Sequence, residues 1–263
     1  IAYAAFRLKA QHPDAVMVVA PSDHYIFDEE EFRRNIESCM EFVQQRDALM
    51  TIGIRPSRPD TGYGYIQTDA REEIAPVASF REKPDLQTAM SYLAAGNYLW
   101  NAGIFVWSNR TILAALERHL PEVYRLFAER ADEFGTPREG KAVGEIFAVS
   151  PSISIDYGVL ERADNVYVRS SDFGWNDVGT WGSLYELSPK DSDGNVVPER
   201  IQTYETTGCM IKAPQEKAVV VDSLHDYIVV DTPDALMICP RSREQHIKQV
   251  LEDMKQMDDG RFV

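Results

Sequence analysis

Two apolar runs of strand length flank a stretch with helical periodicity, and this arrangement restricts the chain more than any other feature. Residues 15–20 (AVMVVA) lie between Pro13-Asp14 and Pro21-Ser22 and do not alternate, as expected of a buried strand in a parallel sheet. Asp28 then offers a helix cap, with Glu29, Glu30 and Glu31 in the first turn, where the helix dipole favours negative charge. Phe32, Ile36, Cys39, Met40 and Val43 fall on one face of that helix. Residues 49–54 (LMTIGI) form the next apolar run. Strand, helix, strand at this spacing is a βαβ unit, so an α/β fold is expected.

The pattern continues in mixed form to about residue 187. Residues 63–66 and 74–80 read as strands, 86–93 as a helix and 104–107 as a strand. Helices follow near 112–116 and over 123–131, and 166–168 is a short strand. The polar, Gly- and Pro-punctuated stretch 133–144 reads as a surface loop. Residues 188–195 (SPKDSDGN) read as a linker or long turn, after which come short β-rich runs at 209–211, 218–221, 227–230 and 235–238. These predict a small antiparallel or solenoid-like β domain closed by a helix over 244–256. The expected domains are therefore 1–187 and 188–263.

The balance of 27 basic against 42 acidic residues gives a formal charge of −15, which repels nucleic-acid backbones but does not bar a small phosphorylated substrate. Three scattered cysteines make no disulfide framework and fit a reducing compartment. No run approaches the roughly eighteen continuous apolar residues that span a bilayer.

Several segments carry polar groups next to these elements. Asp23 and His24 follow the first apolar run, at the lip where open α/β sheets bind ligands. There Asp23 reads equally well as a turn cap or as a ligand to a phosphate-bound cation, and His24 reads as a packing or turn residue. In Gly62-Tyr63-Gly64-Tyr65, the glycines permit close backbone approach to a ligand, or simply a hairpin turn. Glu82-Lys83-Pro84 ends a strand, and the proline is expected to hold Lys83 extended. Lys83 suits a sugar phosphate and Glu82 a sugar hydroxyl, with a solvated strand end as the equal alternative. Asn101 stands before an apolar run, and Asp156 near the start of a helical segment that also contains Glu161. The segment Phe173-Gly174-Trp175-Asn176-Asp177-Val178-Gly179-Thr180-Trp181 is too rich in Trp and Gly for a generic loop, and Asp177 is a candidate second carboxylate for the cation of Asp23.

In this order, the blocks Pro21-Ser22-Asp23-His24, Phe80-Arg81-Glu82-Lys83-Pro84, Asn101-Ala102-Gly103-Ile104-Phe105 and 172–181 resemble the sugar-nucleotide pyrophosphorylases, most of all the bacterial mannose-1-phosphate guanylyltransferases. The resemblance covers nearly the whole chain. It implies a Rossmann-like nucleotide-diphospho-sugar transferase domain of GT-A type, with a mixed sheet and a small β-rich C-terminal domain. By the same resemblance, Asp23 and Asp177 are magnesium ligands and Lys83 contacts the sugar phosphate. Glu82, Asn101 and Asp156 contact the sugar, and Gly64 is where backbone approaches it. The implied reaction joins GTP and mannose 1-phosphate to give GDP-mannose and pyrophosphate in the cytoplasm, without nucleic acid or membrane, and allows a homo-oligomer. Open alternatives are another hexose 1-phosphate or nucleoside triphosphate, and an inactive nucleotide-sugar binder or regulatory homologue. The family's opening Gly-rich loop with its Arg, and its later Pro-Lys pair, do not occur in this sequence, so an upstream segment carrying them is expected, and the chain alone is expected to be impaired.

Overall fold

The computed structural model describes residues 1–69 and 72–257. The chain divides into two compact units, Ile1–Trp175 and Asn176–Val263.

The first unit is an α/β layer structure around a mixed sheet. Its elements in chain order are α1 (Ala2–Lys9), β1 (Val16–Val19), β2 (Tyr25–Ile26), α2 (Glu29–Gln45), β3 (Leu49–Ile54), β4 (Tyr65–Gln67), β5 (Ile74–Pro76), β6 (Ser79–Arg81), α3 (Leu86–Ala95), β7 (Tyr98–Ser108), α4 (Asn109–His119), α5 (Pro121–Ala128), α6 (Glu139–Val149) and β8 (Val166–Ser171). A π-helical turn spans Asp156–Leu160. The strand order is β5-β8-β3-β7-β4-β6, and β1 also pairs with β7. The long strand β7 organises the sheet. It runs antiparallel to β3, to β4 through Tyr65↔Trp100, and to β1 through Val16↔Ser108.

The expected crossover from β1 through α2 to β3 is present, because both strands run antiparallel to β7 and hence parallel to each other. They are not neighbours, however, since β7 lies between them. The parallel, fully buried setting expected for residues 15–20 is thus corrected: β1 is antiparallel to its partner, and Val18 is 42 % exposed. β3 does behave as a run buried on both faces, pairing in parallel with β8 from Leu49↔Val166 onwards. Met50 and Ile52 pack with Cys39 and Val43 of α2 on one side. Leu49 joins Leu99, Trp107, Leu116 and Val168 on the other.

Local chemistry sets the helix ends as the sequence indicates. The Asp28 carboxylate accepts the Glu31 backbone N–H at 2.9 Å and starts α2. Asp85 caps α3 through the Thr88 N–H, and Gly96 closes it in the left-handed region at φ 73°. The loop expected over 133–144 is shorter than read, because α6 begins at Glu139. Gly140 and Gly144 leave it intact, since it buries Ala142 and Ile146 in the core, and such packing outweighs the propensity cost of two glycines.

The second unit begins around α7 (Trp181–Leu187), after the short β9 (Trp175–Asn176) that carries the boundary. It then builds β10 (Gln202–Tyr204), β11 (Met210–Lys212), β12 (Val220–Asp222), β13 (Tyr227–Asp231) and β14 (Leu236–Pro240). β10 pairs in parallel with β12, and β11 with β13; each pairing joins residues 18 positions apart, Gln202 with Val220 and Met210 with Ile228. That repeat makes the coil solenoid-like, while β13 and β14 close it as an antiparallel pair. Asn195 staples successive rungs: its amide donates to the Thr206 carbonyl at 2.8 Å and accepts the Cys209 N–H at 2.9 Å. Two 3₁₀ turns over Arg241–His246 precede α8 (Ile247–Met257), so the closing α-helix starts later than residue 244. All three cysteines are free, and burial pushes the Cys39 thiol up to about 12, which makes it inert. Among the described residues no helix is long and apolar enough to cross a membrane.

Candidate active site

Four segments of the first unit converge at one end of the β4–β6–β7 part of the sheet. β4 is entered through Gly64. β6 ends into Glu82 and Lys83. Asn101 sits in β7, and the π-helical turn supplies Asp156 at its first position. Asn101 is therefore inside a long strand rather than before a short one, and a bulge frees its side chain from the regular ladder. Thr51 faces Phe105 while Gly53 faces Asn101, so a step of two residues on β3 spans four on β7. Gly103 absorbs the excess at φ 68°, a conformation that favours glycine.

The polar contacts here are dense and directional. The Asn101 amide donates from Nδ2 to Asp156 Oδ1 at 3.0 Å. Its Oδ1 accepts from the Thr51 hydroxyl at 2.8 Å and from the Gly103 N–H at 3.2 Å. The Glu82 side chain is 8 % exposed; its Oε1 lies 3.2 Å from the Lys83 ammonium, while its Oε2 is buried without a partner among the described residues. Burial, and then the neighbouring Asp156 charge, pushes the Glu82 carboxyl above its ordinary range, against the pull of Lys83. Burial raises Asp156 in the same direction, opposed by its backbone and Asn101 hydrogen bonds. An orphaned buried carboxylate oxygen of this kind is an acceptor waiting for a hydroxyl or N–H.

Lys83 differs from expectation. It is not extended but lies at φ 44°, in the left-handed region. Holding a non-glycine residue there costs about 1–3 kcal/mol, and such strain collects at functional sites. The Glu161 carboxylate, at the end of the π-helical turn, accepts the Glu82 N–H at 3.0 Å and so secures this bend.

Gly64 stands where any side chain would have to displace the Glu82 carboxylate. A Cβ there would run into Glu82 Oε2 and come within 3.3 Å of the Asn101 Cβ. The backbone cannot recede, because Gly64 O accepts the Asn101 N–H at 2.8 Å. Gly64→Ala is expected to displace the Glu82 carboxylate, to destabilise the fold by about 1–3 kcal/mol through overpacking, and to weaken ligand binding at this end. Melting and ligand titration check it; an alanine variant with unchanged melting and unchanged binding would contradict the assignment.

An aromatic wall extends the site. Tyr63 packs edge-on between Trp100 at 5.1 Å and Trp175 at 5.3 Å, and the Arg58 guanidinium lies 5.2 Å from the Trp100 ring. Trp175 donates to His24 Nδ1 at 3.0 Å, so His24 is a packing partner. Pro21 and His24 also approach Gly103, at 3.8 and 3.9 Å from where its Cβ would be. The turn bearing Asp23 thus adjoins the Asn101 strand, and Asp23 is exposed on it. Asp177 belongs to the second unit, where its Oδ1 accepts the Gly179 N–H at 3.1 Å. Sequence reading missed Thr51 and Trp100; the available signal for Thr51 was a lone hydroxyl inside an apolar strand.

No group of three or more His, Cys, Asp or Glu side chains gathers as a metal cage among the described residues. Asp23 is a single exposed carboxylate on its turn, and magnesium held to phosphates commonly takes only one or two protein carboxylates, with phosphate oxygens and water in its remaining positions.

Residues 1–194 match the family described as Nucleotidyl transferase, and residues 199–254 match the MannoseP isomerase/GMP-like beta-helix domain. The mannose-1-phosphate guanylyltransferase of Escherichia coli K12 is 36 % identical over 271 residues, covering 99 % of this chain and 56 % of its own length. The alginate biosynthesis protein AlgA of Pseudomonas aeruginosa is 34 % identical over 261 residues, covering 97 % of this chain and 53 % of its own length. The chain thus spans about half the length of the curated relatives it matches. A solved structure from Thermus thermophilus, described as a mannose-1-phosphate geranyltransferase, superposes with a TM-score of 0.80 at 29 % identity, over 96 % of this chain and 73 % of that one.

Proposed function

The chain belongs to the nucleotidyl transferase family, and from that premise we propose that its protein joins GTP and mannose 1-phosphate into GDP-mannose, with release of pyrophosphate. The observation that carries this reading is the convergence of Gly64, Glu82, Lys83, Asn101 and Asp156 on one site. Two relatives named for mannose 1-phosphate, at 36 % and 29 % identity, support the choice of sugar.

A phosphate oxygen of the sugar attacks the α-phosphorus of the triphosphate, and the bond to the pyrophosphate oxygen breaks in line. The nucleophile is already anionic, so positioning and charge compensation supply the catalysis. Lys83 holds the attacking phosphate by charge. Glu82, through its unpartnered Oε2, accepts a sugar hydroxyl, and Asn101 with Asp156 fixes a second edge of the sugar. Gly64 keeps that edge open. By the family resemblance Asp23 and Asp177 are the carboxylates that would hold magnesium, which would supply charge neutralisation to the phosphates. Asp23→Asn is expected to raise, by about tenfold or more, the magnesium needed for half-maximal turnover, as removal of a metal-ordering carboxylate does; an unchanged magnesium titration would remove Asp23 from the metal site.

We assign residues 1–187 to the catalytic domain and 188–263 to a β-rich C-terminal domain; the two family matches, ending at 194 and resuming at 199, support a boundary near that turn. Three free cysteines suit a reducing cytoplasm. The test is a substrate panel with the full-length protein. Mannose 1-phosphate with GTP should give the highest kcat/KM among hexose 1-phosphates and nucleoside triphosphates. A higher value for glucose 1-phosphate, or for another triphosphate, overturns the pairing.

A further inference from the structure

We infer that Thr51, in the middle of the buried strand β3, is a positioning residue that anchors the Asn101 amide so that its donor edge stays turned to the site. The inference rests on the sugar 1-phosphate reading of that site. Thr51 is fully buried and brings the one side-chain hydroxyl into an otherwise apolar strand. Burying a hydroxyl is unfavourable unless it is bonded, so its partner matters. Its Oγ1 lies 2.8 Å from Asn101 Oδ1, against 3.4 Å from the Ile104 carbonyl, which makes Asn101 the acceptor of its single proton.

An Asn amide has nearly the same shape either way round, so its orientation is decided by what it bonds. The Gly103 N–H also points at Oδ1, at 3.2 Å. The Gly103 N–H can only donate and so requires an oxygen there, the Thr51 hydroxyl adds a second, shorter hydrogen bond that holds that oxygen in place, and the nitrogen is left to face Asp156 Oδ1 at 3.0 Å. Turned over, the amide would set its NH₂ against the Gly103 N–H and its oxygen against the Asp156 carboxylate, a repulsive pairing. In the observed orientation one Nδ2 hydrogen is taken by Asp156, and the other is available to an acceptor oxygen on the ligand. The bulge opposite Thr51–Gly53, with Gly103 at φ 68°, brings the Asn101 side chain back to Thr51 although the two residues are not register partners. A core strand thereby secures what the site offers a sugar: a donor in place of a second acceptor.

The experiment uses the full-length protein with mannose 1-phosphate and GTP varied separately. Thr51→Val keeps shape and removes the hydroxyl, Thr51→Ser keeps the hydroxyl, and Thr51→Ala serves if the valine variant does not fold. The valine or alanine variant should raise KM for mannose 1-phosphate about tenfold, the range of one lost hydrogen bond, with KM for GTP within about twofold of the parent. The serine variant should stay within about threefold of the parent for both. In an Asn101→Ala background the Thr51→Val effect on KM should disappear, which a purely structural loss would not do. Unchanged mannose 1-phosphate KM in the valine and alanine variants, or an undiminished effect in the Asn101→Ala background, overturns the inference. If Asn101→Ala by itself leaves that KM unchanged, the sugar-site reading fails as well, and the two failures are told apart by that control.

Discussion

Replacing Lys83 by alanine is expected to lower kcat/KM for mannose 1-phosphate by about 10²- to 10³-fold while leaving the melting temperature almost unchanged. The catalytic part follows from removing one charge contact to a phosphate whose charge is redistributed in the transition state, an effect of about 2.7–4 kcal/mol. The structural part follows from exposure: the Lys83 side chain is 57 % exposed and its ion pair to Glu82 spans 3.2 Å. Pairs with so exposed a partner contribute little to stability. Alanine inherits the same φ of 44°, so the strain is retained. Lys83→Gly makes the contrast sharper, because it removes the ammonium and relieves the strain together; it should melt slightly higher than the parent and be as inactive as the alanine variant. Lys83→Arg should recover little, since a forked guanidinium does not replace a compact ammonium. Separate saturation curves for mannose 1-phosphate and GTP, with melting in parallel, check this. If alanine at 83 leaves the mannose 1-phosphate curve unchanged, Lys83 is a solvated strand end.

Glu82→Gln should lose activity and gain stability, which sets it apart from ordinary damage. The Glu82 carboxyl is buried, one of its oxygens is orphaned, and its pKa is raised first by that burial and then by Asp156. A raised carboxyl binds its proton more tightly in the folded state than in the unfolded state. Below the ordinary Glu value, near 4.5, both states are protonated and there is no penalty. As pH rises through the folded value, the penalty of holding the buried anion grows to its full size and then stays constant. Glutamine removes that penalty, so the variant should melt higher at pH 7–8, by about 2–4 °C per kcal/mol gained, and the gap should close as pH falls below the ordinary Glu value. Turnover should fall by about 10²-fold or more, because an amide is a weaker acceptor for a sugar hydroxyl than a carboxylate. A glutamine variant that melts lower than the parent at pH 8 would refute the view of Glu82 as a residue held against folding for function.

How much of this was legible in the sequence depended on the range of the interaction. The α2 cap at Asp28, the apolar character of β3 and the β-rich tail are written in local pattern, and the fold class follows from them. The orientation of β1 was not, because an apolar run has the same composition whether its neighbour runs parallel or antiparallel. Only the position of β7, some ninety residues later, decides it (Val16 pairs with Ser108). The helix over Glu139–Val149 was hidden by Gly140 and Gly144, which local rules read as breakers and core packing overrides. The site residues just after β6, in β7 and at the start of the π-helical turn stood out as polar groups at the ends of expected elements. Their mutual contacts span 50 residues from Thr51 to Asn101 and 79 from Glu82 to Glu161, and no local rule connects them. The left-handed Lys83 went against the preference that proline imposes on its predecessor, because the tertiary contacts of Glu82 and Glu161 outweigh that preference. The solenoid repeat was too weak to see in residue identities, and became plain only when Gln202 met Val220 and Met210 met Ile228.

Nucleotidyl transfer onto a sugar phosphate is read from the fate of isotopic label in the triphosphate. The full-length protein is incubated with magnesium, mannose 1-phosphate and GTP labelled with radioactive phosphorus at either the α or the γ position. The α label should enter GDP-mannose, the γ label should leave in pyrophosphate, and both transfers should stop when mannose 1-phosphate is omitted. Label from the γ position in a sugar product, or α label that never leaves GTP while mannose 1-phosphate is present, would contradict it.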